Sequence, residues 1–223
     1  LKEGSNGLFS GIRQLTHSGA LYNYKLFGRI PTRLLGTPPE IFSGNPAAGQ
    51  RLLSGSLVYA GRKHSLQTII DSPSKIDRRC LEHFHGFDWL SDLRCVGNGP
   101  ARSLAQVLIS EWISNYSNWD SFYWRPEIIG ARLVSWLTHF AFVTSNSQSM
   151  LLDKLYNELG RQSFHLFRTV LGSEPGKSRI VALKGLVFAG VVLPDSDKYL
   201  IRGLDNLEKE VARQIYLDGG HNS

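Results

Sequence analysis

From residue 100 onward, apolar side chains recur at intervals of three and four, the period of an amphipathic helix. Leu104, Leu108 and Trp112 line one face after Pro100, a residue suited to a first helical turn. Residues 115–125 read as a loop, and Pro126 opens a second helix with Ile129, Leu133, Trp136, Leu137 and Phe140 inward. A third helix begins between 145 and 149 and carries Leu152, Leu155, Leu159, Leu166 and Val170. The fourth, over 178–192, is apolar nearly all round. The fifth places Leu200, Leu204, Leu207, Val211 and Ile215 on one stripe, with Asp195 or Ser196 as its cap.

Short turns join these helices and no strand is interleaved with them, which predicts a mainly α fold of antiparallel helical hairpins, as an open bundle, a solenoid or a toroid. No repeat period of the tetratricopeptide or HEAT kind runs through them. The first part of the chain differs. It is rich in Gly, Ser and Pro; RIPTRLLGTPPEIFSGNPAAG breaks any periodicity, and RLLSGSLVYAG reads as a short strand or hairpin. The chain therefore divides into an extended arm over 1–75 and a helical domain over 76–223.

With 223 residues, 42% of them hydrophobic, the chain can bury one sizeable core. No stretch approaches the roughly 18 apolar residues of a spanning helix, and residues 1–10 lack the apolar run of a signal peptide. A membrane is thus not among the expected partners. The net charge of +6 favours a polyanion, yet the cations are scattered rather than blocked, which argues against nucleic acid. Cys80 and Cys95 form neither a CxxC pair nor a disulfide framework and read as ordinary thiols.

Candidate chemistry concentrates between residues 84 and 136, which hold all five tryptophans. Within that window NYSNWDSFYWRP interleaves Trp119 and Trp124 with Asn115, Asn118 and Arg125, while Arg132 stands one turn before Trp136. Flat rings that stack on sugar faces, flanked by amides and guanidiniums that bond hydroxyls and carboxylates, suit a carbohydrate cleft; core packing would use the rings alone. His83 and His85 alternate like a metal pair, but without a convincing third ligand no metal or other cofactor is expected. Gly172, Gly176, Lys177 and Ser178 are one residue short of a phosphate loop and follow no strand, so a nucleotide is not expected either.

The motif FHGFDWLSDLR, the later series Trp112, Trp124, Pro126, Gly130, Arg132, Trp136 and Leu137, and the terminal RQIYLDGGHNS together resemble the heparinase II/III-like polysaccharide lyases of bacteria. The resemblance implies an (α/α) toroid whose inner helices and loops line a groove, here incomplete, with a C-terminal β-sandwich domain of the same protein as its missing partner. It implies an acidic, uronate-containing polysaccharide as ligand and β-elimination as the reaction, with the periplasm and the cytoplasm both open as compartments. The family's Asn/His pair falls on Lys177 and Ser178, with Arg179 next, and its tyrosine falls beyond Ser223. His221, aimed by Gly219 and Gly220, is the remaining catalytic candidate, so this chain by itself is expected to be inactive. A non-catalytic carbohydrate-binding toroid and a helical scaffold for an acidic protein are the alternatives.

Overall fold

The computed structural model describes residues 30–40, 43–147 and 149–214. Helix starts follow the local chemistry. Asn45 Oδ1 accepts from the Ala47 and Ala48 N–H groups ahead of α1 (Pro46–Leu53). The strands β1 (Ser56–Tyr59) and β2 (Arg62–Ser65) then pair antiparallel, with Ser56 opposite Ser65 and Tyr59 opposite Arg62. Ala60 and Gly61, both at positive φ, make the two-residue turn whose twist matches such a hairpin. α2 (Leu66–Asp71) and a 3₁₀ turn at Pro73–Lys75 follow. Over 46–75 the expected arm is thus helix, hairpin and helix, and its Leu52, Leu57, Leu66 and Ile69 are buried in the common core.

Asp77 caps α3 (Arg78–Gly86), which ends where Phe87 turns left-handed at φ 62° and leads into α4 (Leu90–Val96). Asn98 caps α5 (Gly99–Tyr116), and the expected loop separates it from α6 (Pro126–Thr138). The short α7 (Phe140–Thr144), then α8 (Ser149–Thr169) with a 3₁₀ turn at Val170–Gly172, α9 (Lys177–Val192) and α10 (Asp197–Gln214) complete the described chain. The predicted second helix is split at His139, which ends α6 by donating its N–H to the Ser135 carbonyl and leads into α7. Phe140 is consequently half-buried on α7.

α6 is the central element, packed by α3, α8 and α9. A Cβ at Gly130 would lie 2.5 Å from the Val181 carbonyl oxygen, and one at Gly185 would overlap the Gly130 backbone. Two bare glycines therefore set how closely α6 and α9 cross, and with it where the N-terminus of α9 stands. Beneath them, Phe87 and Trp112 meet Trp136 edge-on at ring distances of 5.2 and 5.6 Å.

The inward stripe expected on α10 is only partly the one the fold buries: Leu200 and Leu207 are half-buried, and Leu207 packs against the core. Tyr199, Gly203 and Glu210 face inward, whereas Leu204 and Val211 are exposed; Ile215 lies outside the described residues. The reason is close packing of small residues: Gly190 of α9 meets Leu200, and Gly203 meets Val187. Glu210 is drawn in beside them because its carboxylate accepts from the Gly176 N–H at 2.6 Å and from Arg179 at 3.3 Å.

Candidate functional site

Where α3, α6 and α9 converge beside β1, a cleft of about 540 Å³ opens. Tyr59 enters it from β1; Arg79, Glu82 and His83 from α3; Glu127 and Ala131 from α6; Lys177 and Ser178 from the first turn of α9. The Gly130–Gly185 crossing holds these two helix starts together.

The charges in the cleft sort by what already engages them. Glu82 is held by Arg125 at 2.5 Å and by Arg78 at 3.4 Å, and Glu127 by Arg125 at 3.2 Å. Two acids are thereby neutralised from behind. No carboxylate among the described residues lies within salt-bridge distance of Arg79 or Lys177, and both side chains are exposed. Lys177 also stands on the positive end of a 16-residue helix, where free N–H groups favour an anion. Beside them His83 Nδ1 lies 3.3 Å from Asp88 Oδ2, and its ring packs 5.1 Å from that of Tyr59. With Asp88 beside Nδ1, Nε2 is the ring nitrogen left to exchange a proton with a ligand. Two cations with no salt-bridge partner among the described residues, and an imidazole beside them, can bind an anion and accept a proton from it.

A second hollow of about 210 Å³ adjoins through Arg125, lined also by Trp119, Asp120, Trp124, Pro126, His165 and Gly172. Its loop is shaped by Asp120 Oδ1, which accepts from the Phe122 and Tyr123 N–H groups at 2.7 and 3.0 Å. Trp119 is half-buried at this hollow, while Trp124 is 2% exposed and donates its indole N–H to the Tyr116 carbonyl. So deeply buried, Trp124 has little surface left for a sugar to stack on.

The other expected ligand contacts are distributed differently. Asn115 and Asn118 are exposed and border neither hollow. Arg132 does not reach a groove: it is 0% exposed, donates to Gln162 Oε1 at 2.7 Å, the His85 carbonyl at 2.9 Å and the Tyr123 carbonyl at 3.2 Å, and stacks on Trp112 at 4.0 Å rather than on Trp136. Burial pulls its pKa down to about 9, against the Glu158 carboxylate, so it stays cationic at neutral pH. Arg179 donates to the Ser173 carbonyl at 2.6 Å and the Leu171 carbonyl at 3.3 Å and also binds Glu210, which ties down the turn that presents Lys177. His221 lies outside the described residues.

His83 and His85, alternating in sequence, part company because they sit on a helix, where neighbours two apart point to nearly opposite sides. His83 faces the cleft; His85 is buried, its Nδ1 accepting from the Trp112 indole at 3.0 Å. Tyr59, Arg79 and Asp88 were missed, and no spacing links them to Lys177. The one available signal was the density of ionisable residues around the FHGFD motif.

The family model of the heparinase II/III N-terminus matches residues 102–223. FtsZ-localized protein C of Caulobacter vibrioides is 31% identical over 198 residues, which is 86% of this chain and 33% of that protein. Heparin-sulfate lyase of Pedobacter heparinus is 29% identical over 126 residues, 49% of this chain and 19% of that protein. The crystal structure of heparan sulfate lyase HepC from Pedobacter heparinus superposes with a TM-score of 0.66 at 21% identity, covering 98% of this chain and 39% of that one. A heparinase III superposes at 0.61 with 19% identity, covering 82% and 34%. The chain thus spans about a third of the length of FtsZ-localized protein C, and its mainly α fold is shared with the helical domains of the two lyases.

Proposed function

We propose, on the premise that this chain belongs to the heparinase II/III N-terminal family, that its cleft binds an acidic, uronate-containing polysaccharide as part of a lyase. The observation that carries the reading is the pair of uncommitted cations, Arg79 and Lys177, set over a cleft of about 540 Å³ beside the His83–Asp88 pair. In β-elimination Lys177 and Arg79 would neutralise the uronate carboxylate and so acidify the proton at C5. His83 Nε2 would accept that proton, the C–H electron pair would become the C4–C5 double bond, and the C4–O bond would break, its oxygen taking a proton from water. The heparin-sulfate lyase relative names a substrate of this class.

A second reading, binding without turnover, is favoured by Lys177 and Ser178 standing where the family resemblance calls for Asn and His. FtsZ-localized protein C is, moreover, described by its location and not by a reaction.

Titration with heparan sulfate, alginate and a neutral glucan, followed by tryptophan fluorescence and ultraviolet absorbance of the unsaturated product, tests both readings. Affinity for the acidic polymers alone, weakening with salt and lost in Lys177→Ala and Arg79→Ala, supports the cleft. Absorbance growth that His83→Gln abolishes supports the lyase, and binding without it supports the second reading. A folded chain that binds no acidic polymer overturns both.

A further inference from the structure

Away from the cleft, three residues of different chemistry meet where the hairpin rests on α3. His64 comes from β2, Asp77 is the residue that caps α3, and Cys80 stands in its first turn. Their donor atoms, one nitrogen, one oxygen and one sulfur, all lie within 4.8 Å of one another. We propose that His64, Asp77 and Cys80 form a zinc site that clips the β-hairpin to α3.

The strongest observation is the state of the imidazole. His64 Nε2 is buried and has no hydrogen-bond partner among the described residues, a costly condition for a ring nitrogen. Asp77 Oδ2 stands 3.9 Å away, too far for a hydrogen bond. A cation between them would give both atoms a partner. Asp77 can serve without losing its structural role, because Oδ1 accepts the Cys80 N–H at 2.9 Å while Oδ2 is the oxygen turned to His64. Cys80 is fully buried, so its sulfur already lies inside the protein wall.

The donor set selects the metal. Thiolate with imidazole and one carboxylate oxygen suits zinc, whereas calcium and magnesium take oxygen shells. Bond lengths of about 2.0–2.3 Å place tetrahedral ligand atoms roughly 3.3–3.8 Å apart, so closure of the site needs separations of up to 4.8 Å to shrink by about 1–1.5 Å at most, within reach of side-chain rotation. Asp77 is 41% exposed, which leaves a solvent-facing fourth position for water. The three residues lie 13 and 3 apart in sequence, and no zinc-finger spacing marks them. Because the clip joins β1–β2 to α3, it would fix Tyr59 relative to Arg79 and His83. It stands independently of what the cleft binds.

Cobalt(II), a spectroscopic substitute for zinc, gives the direct test when titrated into the metal-free chain. The expected result is a sulfur-to-cobalt charge-transfer band saturating at one equivalent, with visible bands of a four-coordinate ion, both displaced by zinc. Cys95→Ser, which removes the exposed second thiol, should leave the band intact, and Cys80→Ser should abolish it. His64→Ala, on the hairpin and outside the core, should weaken zinc affinity roughly tenfold or more and remove the rise in Tm that zinc gives the unsubstituted chain. No thiolate band in the unsubstituted chain, or a band that survives Cys80→Ser, overturns the site; unchanged zinc affinity in folded His64→Ala does the same.

Discussion

Lowering the pH from 7 to 4.5 should cost this fold about 3 kcal/mol through a single side chain, His85. Its ring is 1% exposed and enclosed by Tyr116 and Tyr123 at 5.0 and 4.2 Å. Nδ1 accepts the Trp112 indole proton, which only an unprotonated Nδ1 can do. Burial first, and the Arg132 guanidinium second, push its pKa down from 6.5 to about 3. Between those values the unfolded chain holds one more proton than the folded one. Stability is therefore fully present above about pH 6.5 and falls by about 1.4 kcal/mol per pH unit as the pH drops toward 3. Against a total of about 5–15 kcal/mol this is a large share. Urea unfolding at pH 7, 6, 5 and 4.5, with His85→Gln as the comparison, isolates it, since glutamine can still accept the indole proton but does not titrate. The stability difference between the two proteins should shrink by about 3 kcal/mol over that range. A difference that stays constant with pH would refute the reasoning, because it would mean that His85 protonates as readily in the fold as outside it.

Arg132→Ala should cost about 3–5 kcal/mol in the same assay, as it strands the buried acceptors on Gln162, His85 and Tyr123; a loss below about 1 kcal/mol would return Arg132 to the list of ligand contacts. Gly185→Ala should cost about 1–3 kcal/mol by forcing α9 off the Gly130 backbone, read as a lowered Tm. On α10, Ile201 and Leu204 are 60% and 49% exposed and lie on one face, so the chain should self-associate with rising concentration in sedimentation velocity. Ile201→Lys with Leu204→Lys should abolish that association while leaving Tm within a few degrees.

Much of the helical framework was legible because its start signals are local. Pro100 and Pro126 sit at the first turns expected of them, and the all-round apolarity of 178–192 reflects a helix covered by α6, α8 and α10. α10 was misread for a physical reason. Hydrophobic periodicity counts methyl groups, whereas the interface is set by Gly190 and Gly203, small residues that carry no hydrophobic weight and decide which side comes close. The tryptophan-rich window divides between core and surface for a related reason. Polar neighbours beside a ring suggest a sugar platform, yet buried indoles need acceptors too: Trp89 donates to the Phe84 carbonyl, Trp112 to His85 and Trp124 to the Tyr116 carbonyl. Only Trp119 of the five escapes full burial.

The cations make the division between scaffold and site sharper than the aromatics do. A guanidinium has five donors in a fixed fork, so it can close several backbone carbonyls at once, and Arg132 and Arg179 each reach two of them plus a side chain. Arg125 is similarly occupied by Glu82 and Glu127. An arginine placed this well is already committed, and a ligand would have to displace bonds that hold the fold. In the proposed cleft, Arg79 and Lys177 are the cations left for an anionic ligand among the described lining residues: Arg125 pairs with Glu82 and Glu127 beside them, and Arg179 holds the turn from which Lys177 projects. Loss of Arg179 should therefore weaken binding in the cleft without its ever touching the ligand, whereas loss of Lys177 should weaken binding and leave the fold as stable as before.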